Sequence, residues 1–142
     1  TGSEAALFQT GASSGKIRLV ATLPPWEHSV QIGIRSDAPK LTNGNLQRST
    51  GTLTLNLNGF DNTRSATTAS FRFFNADGQL LGGSVVEASV TDVFGAFFRV
   101  SGTGGLFAMR AAFPIQGDVG VIDRVEVQLR NKIGISLTYT AR

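Results

Sequence analysis

His28 is the only histidine in this sequence, and the 142 residues include no cysteine. A Ser-His-Asp triad or a histidine-based metal site would need this one imidazole and two distant partners, and the spacing supplies neither. Disulfides, thiolate metal sites and cysteine nucleophiles are excluded as well. Because His28 follows a Pro-Pro-Trp-Glu segment, we expect a surface or packed histidine and a protein that is not an enzyme.

Carboxylates are the remaining groups that could support catalysis or bind a metal, and the ten acidic residues are dispersed along the chain. Asp118 and Asp123 lie in one predicted loop, where carboxylate and backbone oxygens can bind Ca²⁺. Turn and cap roles are the commoner use of Asp in loops, so we predict no metal ligand and no cofactor. Asp61 and Arg64 are predicted to form a local surface pair or to staple a loop.

Trp26 is the one residue for which the sequence predicts a ligand contact. It follows Pro24-Pro25 in a segment that does not alternate, so its ring is the best candidate for an exposed aromatic that stacks on a sugar. A packing role is the alternative. Most of the ten Phe residues fall in alternating apolar registers, which favours the core.

Charge indicates which partners to expect. The net charge is +3, and the ten Arg residues are scattered without any basic run. Nucleic-acid binders concentrate their charge on one face or in one stretch, so we predict no nucleic-acid partner. No stretch approaches 18 apolar residues, so we predict no membrane span.

Alternation of polar and apolar residues dominates the chain and predicts half-buried antiparallel strands. In the segment Leu106–Phe113 both faces are apolar apart from Arg110, which predicts a central strand that ends at Pro114. The other predicted strands are Ala5–Thr10, Lys16–Thr22, Ser29–Arg35, Thr52–Asn58, Ser70–Phe73, Ser84–Val90, Arg124–Arg130 and Ile135–Thr140.

Turn and helix signals separate these strands. Asn43-Gly44 and Asn58-Gly59 predict tight turns, because both residue types accept positive φ. Thr91–Phe98 predicts one short helix capped by Thr91 or Asp92. The remaining predicted turns are Asn75–Gly78 and Asn131–Gly134 between strands, and a helical turn near Gly117–Ile122.

Short strands with turns between them predict an all-β fold, an Ig-like or fibronectin-III-like antiparallel β-sandwich with at most one or two short helical turns. A seam near Asp37–Lys40 divides the N-terminal strands, 1–36, from a sandwich domain, 37–142. Strands 1–36 are too few for a sheet domain, so we expect them to join the sandwich or to pair with another copy. Because the sequence starts at Thr1 without an initiator Met, we expect a longer gene product.

Several turn-and-strand motifs run through nearly the whole chain. They are Phe8–Gly11, Gly15–Leu23, Ala38-Pro39, Gly59–Arg64, Ser70–Phe74, Phe113–Asp118 and Val125–Asn131. The first two resemble the end of an Ig-like repeat in large secreted proteins of Acidobacteria-type soil bacteria, and residues 1–36 would be its remnant or a strand-exchange segment. The others resemble the module that follows that repeat. The resemblance implies an extracellular or cell-surface, non-catalytic module and assigns no functional residue.

We therefore expect a structural or adhesive module that assembles into a filament by strand pairing between subunits. Its partners would be other copies of itself or neighbouring repeats. The alternative is a carbohydrate- or ligand-binding accessory module of a larger secreted protein.

Overall fold

The computed structural model describes residues 13–142, so the strand predicted at Ala5–Thr10 lies outside the described residues. The described residues form nine strands, one α-helix and one 3₁₀ turn at Val119–Val121. The strands are β1 (Gly15–Leu23), β2 (Trp26–Ile34), β3 (Lys40–Ser49), β4 (Thr52–Phe60), β5 (Thr68–Phe74), β6 (Leu80–Ser89), β7 (Leu106–Pro114), β8 (Arg124–Arg130) and β9 (Tyr139–Ala141), and the helix is α1 (Thr91–Val100).

All strand pairs are antiparallel, and the strands form three sheets. β1 and β2 make a two-stranded sheet, β3-β4-β7 a three-stranded one and β6-β5-β8-β9 a four-stranded one. From β3 onward, the first, second and fifth strands share one sheet, and the third, sixth and seventh share the other. An Ig-like domain divides its A, B, E and C, F, G strands in the same way, and here the fourth strand, β6, lies beside the third.

One hydrophobic core joins the two larger sheets. The alternating residues of β4 and β8 that point inward are almost completely buried: Leu53, Leu55, Leu57, Val125, Val127 and Leu129. Phe113 of β7 meets Phe71 and Phe73 of β5 edge to face, with ring centroids 4.9 and 5.0 Å apart. The all-β prediction is confirmed, and this arrangement is consistent with a β-sandwich.

Two predicted turns are wrong, because Asn43-Gly44 lies inside β3 and Asn58-Gly59 inside β4. Both glycines lie where neighbouring groups come too close to the backbone for a side chain. A Cβ on Gly59 would overlap the Phe107 ring. A Cβ on Gly44 would lie 2.8 Å from the Asn56 carbonyl oxygen and 2.9 Å from Leu57 Cδ1, with the Tyr139 ring next at 3.2 Å. A glycine inside a strand marks this kind of close approach as well as a turn.

Two edge strands also differ from the prediction. β7 is not central, because it pairs with β4 alone and its outer face, including Arg110, is exposed. The alanines on this outer face can remain exposed to solvent because their side chains carry little apolar surface. In β6, Val86 and Ala88 are exposed instead of half-buried, because β6 is the edge of its sheet and its inner face stays open.

The predicted helical turns are present. α1 extends two residues beyond Phe98 and buries Phe94 and Phe98. Its N-cap is Val90, without a side-chain cap, so neither Thr91 nor Asp92 has the predicted role. The predicted last strand is reduced to β9, although Ile135 bridges Arg130 across the expected turn.

Candidate functional site

The β1–β2 hairpin carries an apolar face that lies outside the hydrophobic core of residues 13–142. This face is half-buried at Ile17, Leu19 and Ile32 and exposed towards the turn. Side chains alternate along a strand, and directly paired residues share a face. The pairs Ile17–Ile32, Leu19–Val30 and Leu23–Trp26 therefore lie on one side of the hairpin. Trp26 and Leu23, beside the turn, are 76% and 75% exposed. None of these residues belongs to the core or packs against it.

The opposite face of the hairpin is polar and charged. It carries Lys16, Arg18 and Glu27, with Val20 as an exposed apolar exception. Arg18 lies 3.7 Å from the Glu27 carboxylate, and both side chains are more than half exposed. Such a pair contributes little to stability because water competes for both charges. The hairpin is therefore amphipathic without a described partner for its apolar side.

Asn62, in the β4–β5 loop, fixes the base of the hairpin. Its Nδ2 donates to the Arg35 carbonyl at 2.7 Å, and its Oδ1 accepts from the Asp37 amide at 3.1 Å. Its own carbonyl accepts from the Ser14 amide at 2.8 Å. One asparagine thus holds the chain just before β1 and just after β2, which sets the direction in which the hairpin projects.

Asp61, next to Asn62, is fully buried, and the predicted surface pair with Arg64 is wrong. Its Oδ1 accepts from Thr63 Oγ1 at 2.7 Å and from Asn131 Nδ2 at 2.9 Å, and its Oδ2 accepts from the Ser65 amide at 2.9 Å. Arg64 is exposed and donates to Ser13 instead. Asp61 therefore has the alternative predicted role, a loop staple, because several donors satisfy its buried carboxyl oxygens.

Asp37 and Lys40 form an exposed ion pair at the same junction. Lys40 Nζ lies 3.3 Å from Asp37 Oδ2, and Asp37 Oδ1 accepts from the Ala38 amide at 2.9 Å. The lysine hydrogen bond and the Ala38 amide hold the pKa of Asp37 below its ordinary value. A lowered carboxylate pKa stabilises the fold at neutral pH, and this contribution is lost as the pH falls through the folded-state pKa.

The residues considered for chemistry lie apart from one another. His28 is exposed on the apolar face of the hairpin, near its tip. Asp118 accepts from the Gly120 amide at 2.8 Å and so caps the 3₁₀ turn. The Asp123 amide donates to the Phe74 carbonyl, where β8 begins. Between residues 13 and 142, no group of three or more His, Cys, Asp or Glu side chains could hold a metal ion.

Sequence reasoning missed Asn62 and Asn131. Asn62 follows a strand with polar outward positions, and such asparagines ordinarily serve local turns. Its bonds to Ser14 and Arg35 span long sequence distances that no local pattern reports. The only available signal was the run Asp61-Asn62-Thr63, which carries more side-chain acceptors than a simple turn requires.

A groove opens beside the edge strand β6. It has a volume of about 460 Å³, and its lining includes Phe73, Leu81, Val86, Pro114, Ile115 and Ile122. Val86, opposite Phe71 in the register, faces the same side of the sheet as that core residue and is still 43% exposed. The groove therefore continues the apolar core to the surface.

A second open groove lies between the start of β3 and the segment before β9. Its volume is about 550 Å³, and Leu41, Ile135 and Leu137 contribute apolar lining. Its charged members, Asp37 and Lys40, are paired with each other. Leu137 is 90% exposed there.

No helix within residues 13–142 is long and apolar enough to cross a membrane. No protein-family model matches this chain. No curated protein matches it either.

Proposed function

We propose that this chain is a non-catalytic structural or adhesive module of an extracellular assembly, and that its β1–β2 hairpin pairs with other copies of the chain or with neighbouring repeats to build a filament. The observation that carries the proposal is the apolar face formed by Ile17, Leu19, Val30 and Ile32, none of which belongs to the described core or packs against it.

Pairing with a further strand would make such a hairpin more stable. A two-stranded hairpin alone is marginally stable in water, whereas a sheet of three or more strands with a covered apolar face is stable. On the same face Leu23, Trp26 and Val30 are exposed, and adjacent exposed apolar side chains mark interaction sites in soluble proteins. Both outer edges of the hairpin carry backbone groups without protein partners in the described chain, which is the template for strand addition.

The non-catalytic part of the proposal rests on the distribution of reactive groups. His28 lies on the projecting hairpin, far along the chain from the buried Asp61, and the carboxylate of Asp118 is engaged as a turn cap. General acid–base or nucleophilic catalysis needs such groups within hydrogen-bond distance of one another.

Assembly is tested by light scattering after size exclusion, together with negative-stain electron microscopy over a range of concentrations. We expect particles larger than the 15.0 kDa chain that grow with concentration. The triple variant Ile17→Thr, Leu19→Thr, Ile32→Thr keeps β propensity but removes apolar surface, so it should remain monomeric. Val20→Thr, on the opposite face, is the matched control and should assemble. A parent chain that stays monomeric at every concentration would refute the proposal.

A carbohydrate-binding module is the second candidate, and the exposure of Trp26 favours it. An exposed aromatic ring at a hairpin tip can stack on the apolar face of a sugar ring. A screen of the purified chain against immobilised glycans would reveal binding that Trp26→Ala abolishes and Val20→Ala retains. Equal binding by the two variants would assign the signal to other residues.

The extracellular location rests on the resemblance of the strand and turn motifs to secreted Ig-like repeats. Antibodies raised against the folded chain should label intact producing cells or their medium without permeabilisation. Labelling that appears only after the cells are opened would contradict this location.

A further inference from the structure

β6 is the strand edge most open to a partner in the two larger sheets. It pairs with β5 on one side, and no backbone group of the described chain bonds to its other side. The outer edge of β7 is less accessible, because Phe94 of α1 meets the Phe107 ring edge to face and the helix lines a small cavity together with the first half of that strand. β3 is also partly covered, since its Leu46 amide donates to the Arg142 carbonyl.

The two faces of β6 differ in chemistry. Val86 and Ala88 lie opposite Phe71 and Ala69, so their side chains point to the core side, and Val86 lines the groove of about 460 Å³. Glu87 points to the outer face, where it accepts a 3.4 Å hydrogen bond from Ser70 and has no ion pair within residues 13–142. A strand added here must be apolar on one side and basic on the other.

β1 has this pattern, and its outer edge pairs with no strand of residues 13–142. Ile17 and Leu19 lie on the apolar face of the hairpin, and Lys16 and Arg18 lie on the opposite face. β2 fits less well, because the charged residue on its polar face is Glu27, which would repel Glu87. Charge complementarity therefore selects β1.

We infer that β1 of a second copy adds to the free edge of β6 at Val86–Ser89. Its Ile17 and Leu19 extend the apolar face over the groove, and its Lys16 and Arg18 lie beside Glu87. Arg18 can turn to this carboxylate at low cost, because its contact with Glu27 is long and solvent-exposed. The added strand also supplies backbone hydrogen bonds to both edges.

The donor strand and the acceptor edge are different surfaces of one chain. Such a contact is heterologous, so each copy can donate to one neighbour and accept from another, which gives a ring or an open filament. This inference rests on the proposed function, because it names the acceptor for the hairpin that the proposal describes.

A complementation experiment tests this pairing. The donor-blocked copy carries Ile17→Asp and Leu19→Asp, and the acceptor-blocked copy carries Val86→Lys and Glu87→Lys. All four positions lie outside the buried core, and the thermal unfolding transition of each variant checks that it folds. Each variant alone should be monomeric, and an equimolar mixture should form a heterodimer and nothing larger, because one working donor and one working acceptor remain.

Charge-reversal variants provide a second test that disturbs the fold less. Glu87→Lys alone should raise the concentration needed for assembly by about tenfold or more, since like charges then face each other. Lys16→Glu with Arg18→Glu in the same chain should restore assembly. Leu137→Ser, in the second open groove, is the control and should assemble as the parent does.

The outcomes separate the two proposals. If the acceptor-blocked copy assembles like the parent, or if Leu137→Ser is the variant that prevents assembly, the β6 acceptor is wrong and the hairpin proposal stands. If the mixture of blocked copies stays monomeric while the parent assembles, the β1–β6 pairing is wrong. A parent chain that never assembles overturns both.

Discussion

Asn131 connects three segments that are distant in the sequence. Its Nδ2 lies within hydrogen-bond distance of Asp61 Oδ1 at 2.9 Å and the Asp37 carbonyl at 2.8 Å, and its Oδ1 accepts from the amides of Ile133 and Gly134. The Asn131 side chain is almost fully buried, and its bond to Asp61 is the one most completely shielded from water. At the scale of single residues, this asparagine and Asp61 hold the β4–β5 and β8–β9 loops together.

Replacement of Asn131 should therefore be costly. We expect Asn131→Ala to lower the free energy of unfolding by about 2–4 kcal/mol, because it removes a donor to a buried carboxylate and leaves two loop amides unpaired. Urea denaturation measures this change. Asn45→Ala is the control: Asn45 is exposed and accepts one bond from Asn56, so its effect should stay within about 0.5 kcal/mol. Equal effects of the two variants would contradict the role of the buried network.

At the scale of elements, glycine decides how closely the strands approach aromatic rings. Gly59 in β4 lies under Phe107 of the neighbouring strand β7, and Gly44 in β3 lies under Tyr139, whose hydroxyl donates to the Gly44 carbonyl at 3.3 Å. A glycine in a strand costs conformational entropy. Here the cost is offset by aromatic packing directly on the backbone.

Gly59→Ala tests this packing, because the new methyl group would have to displace Phe107 or the backbone at Lys40. We expect the free energy of unfolding to fall by about 1–3 kcal/mol. Gly95→Ala is a matched change on α1, where a Cβ meets no atom within 4 Å, and it should raise stability by about 0.5–1 kcal/mol. Thermal unfolding of both variants gives the signs. A stabilising Gly59→Ala would mean that the ring does not lie over this backbone.

At the scale of the whole molecule, the hairpin and the two larger sheets depend on different interactions. The core contains no residue of β1 or β2. The described hydrogen bonds between the two parts lie at the base, where Asn62 and Arg64 meet the chain on either side of the hairpin. Gly15 pairs with Ile34, so the two ends of the hairpin are close in space.

Replacement of residues 15–34 by a short Gly-Ser linker should leave the two larger sheets folded. We expect the free energy of unfolding to change by less than about 1 kcal/mol, because no core contact is removed. Urea denaturation and the amide spectrum of residues 37–142 measure the effect. Collapse of the dispersed amide signals would show that the sheets require the hairpin.

The sequence predicts the strands well where burial alternates, as in β4 and β8, because period-two patterning directly reports one buried face. It fails for β3, where Asn43-Gly44 has the composition of a turn, whereas the glycine is required by the close approach of Asn56 and Leu57 on the paired strand β4. It also fails for the inner face of β6, because alternation cannot tell an edge strand from a covered one. At the site, Trp26 is exposed as the sequence suggests, whereas the Asn62 anchor depends on tertiary contacts.

The anchor at Asn62 has a mechanical consequence. Nine-residue strands span about 30 Å, so a long hairpin is held at its base by only a few described hydrogen bonds. A rotation of about 10° at the base moves the tip by roughly 5 Å, so the alignment of Trp26 depends on the hydrogen bonds that Asn62 and Arg64 make on either side of the hairpin. Asn62→Ala would remove two of these hydrogen bonds. It would therefore make an assembly joined through the hairpin more flexible without changing the residues at the contact.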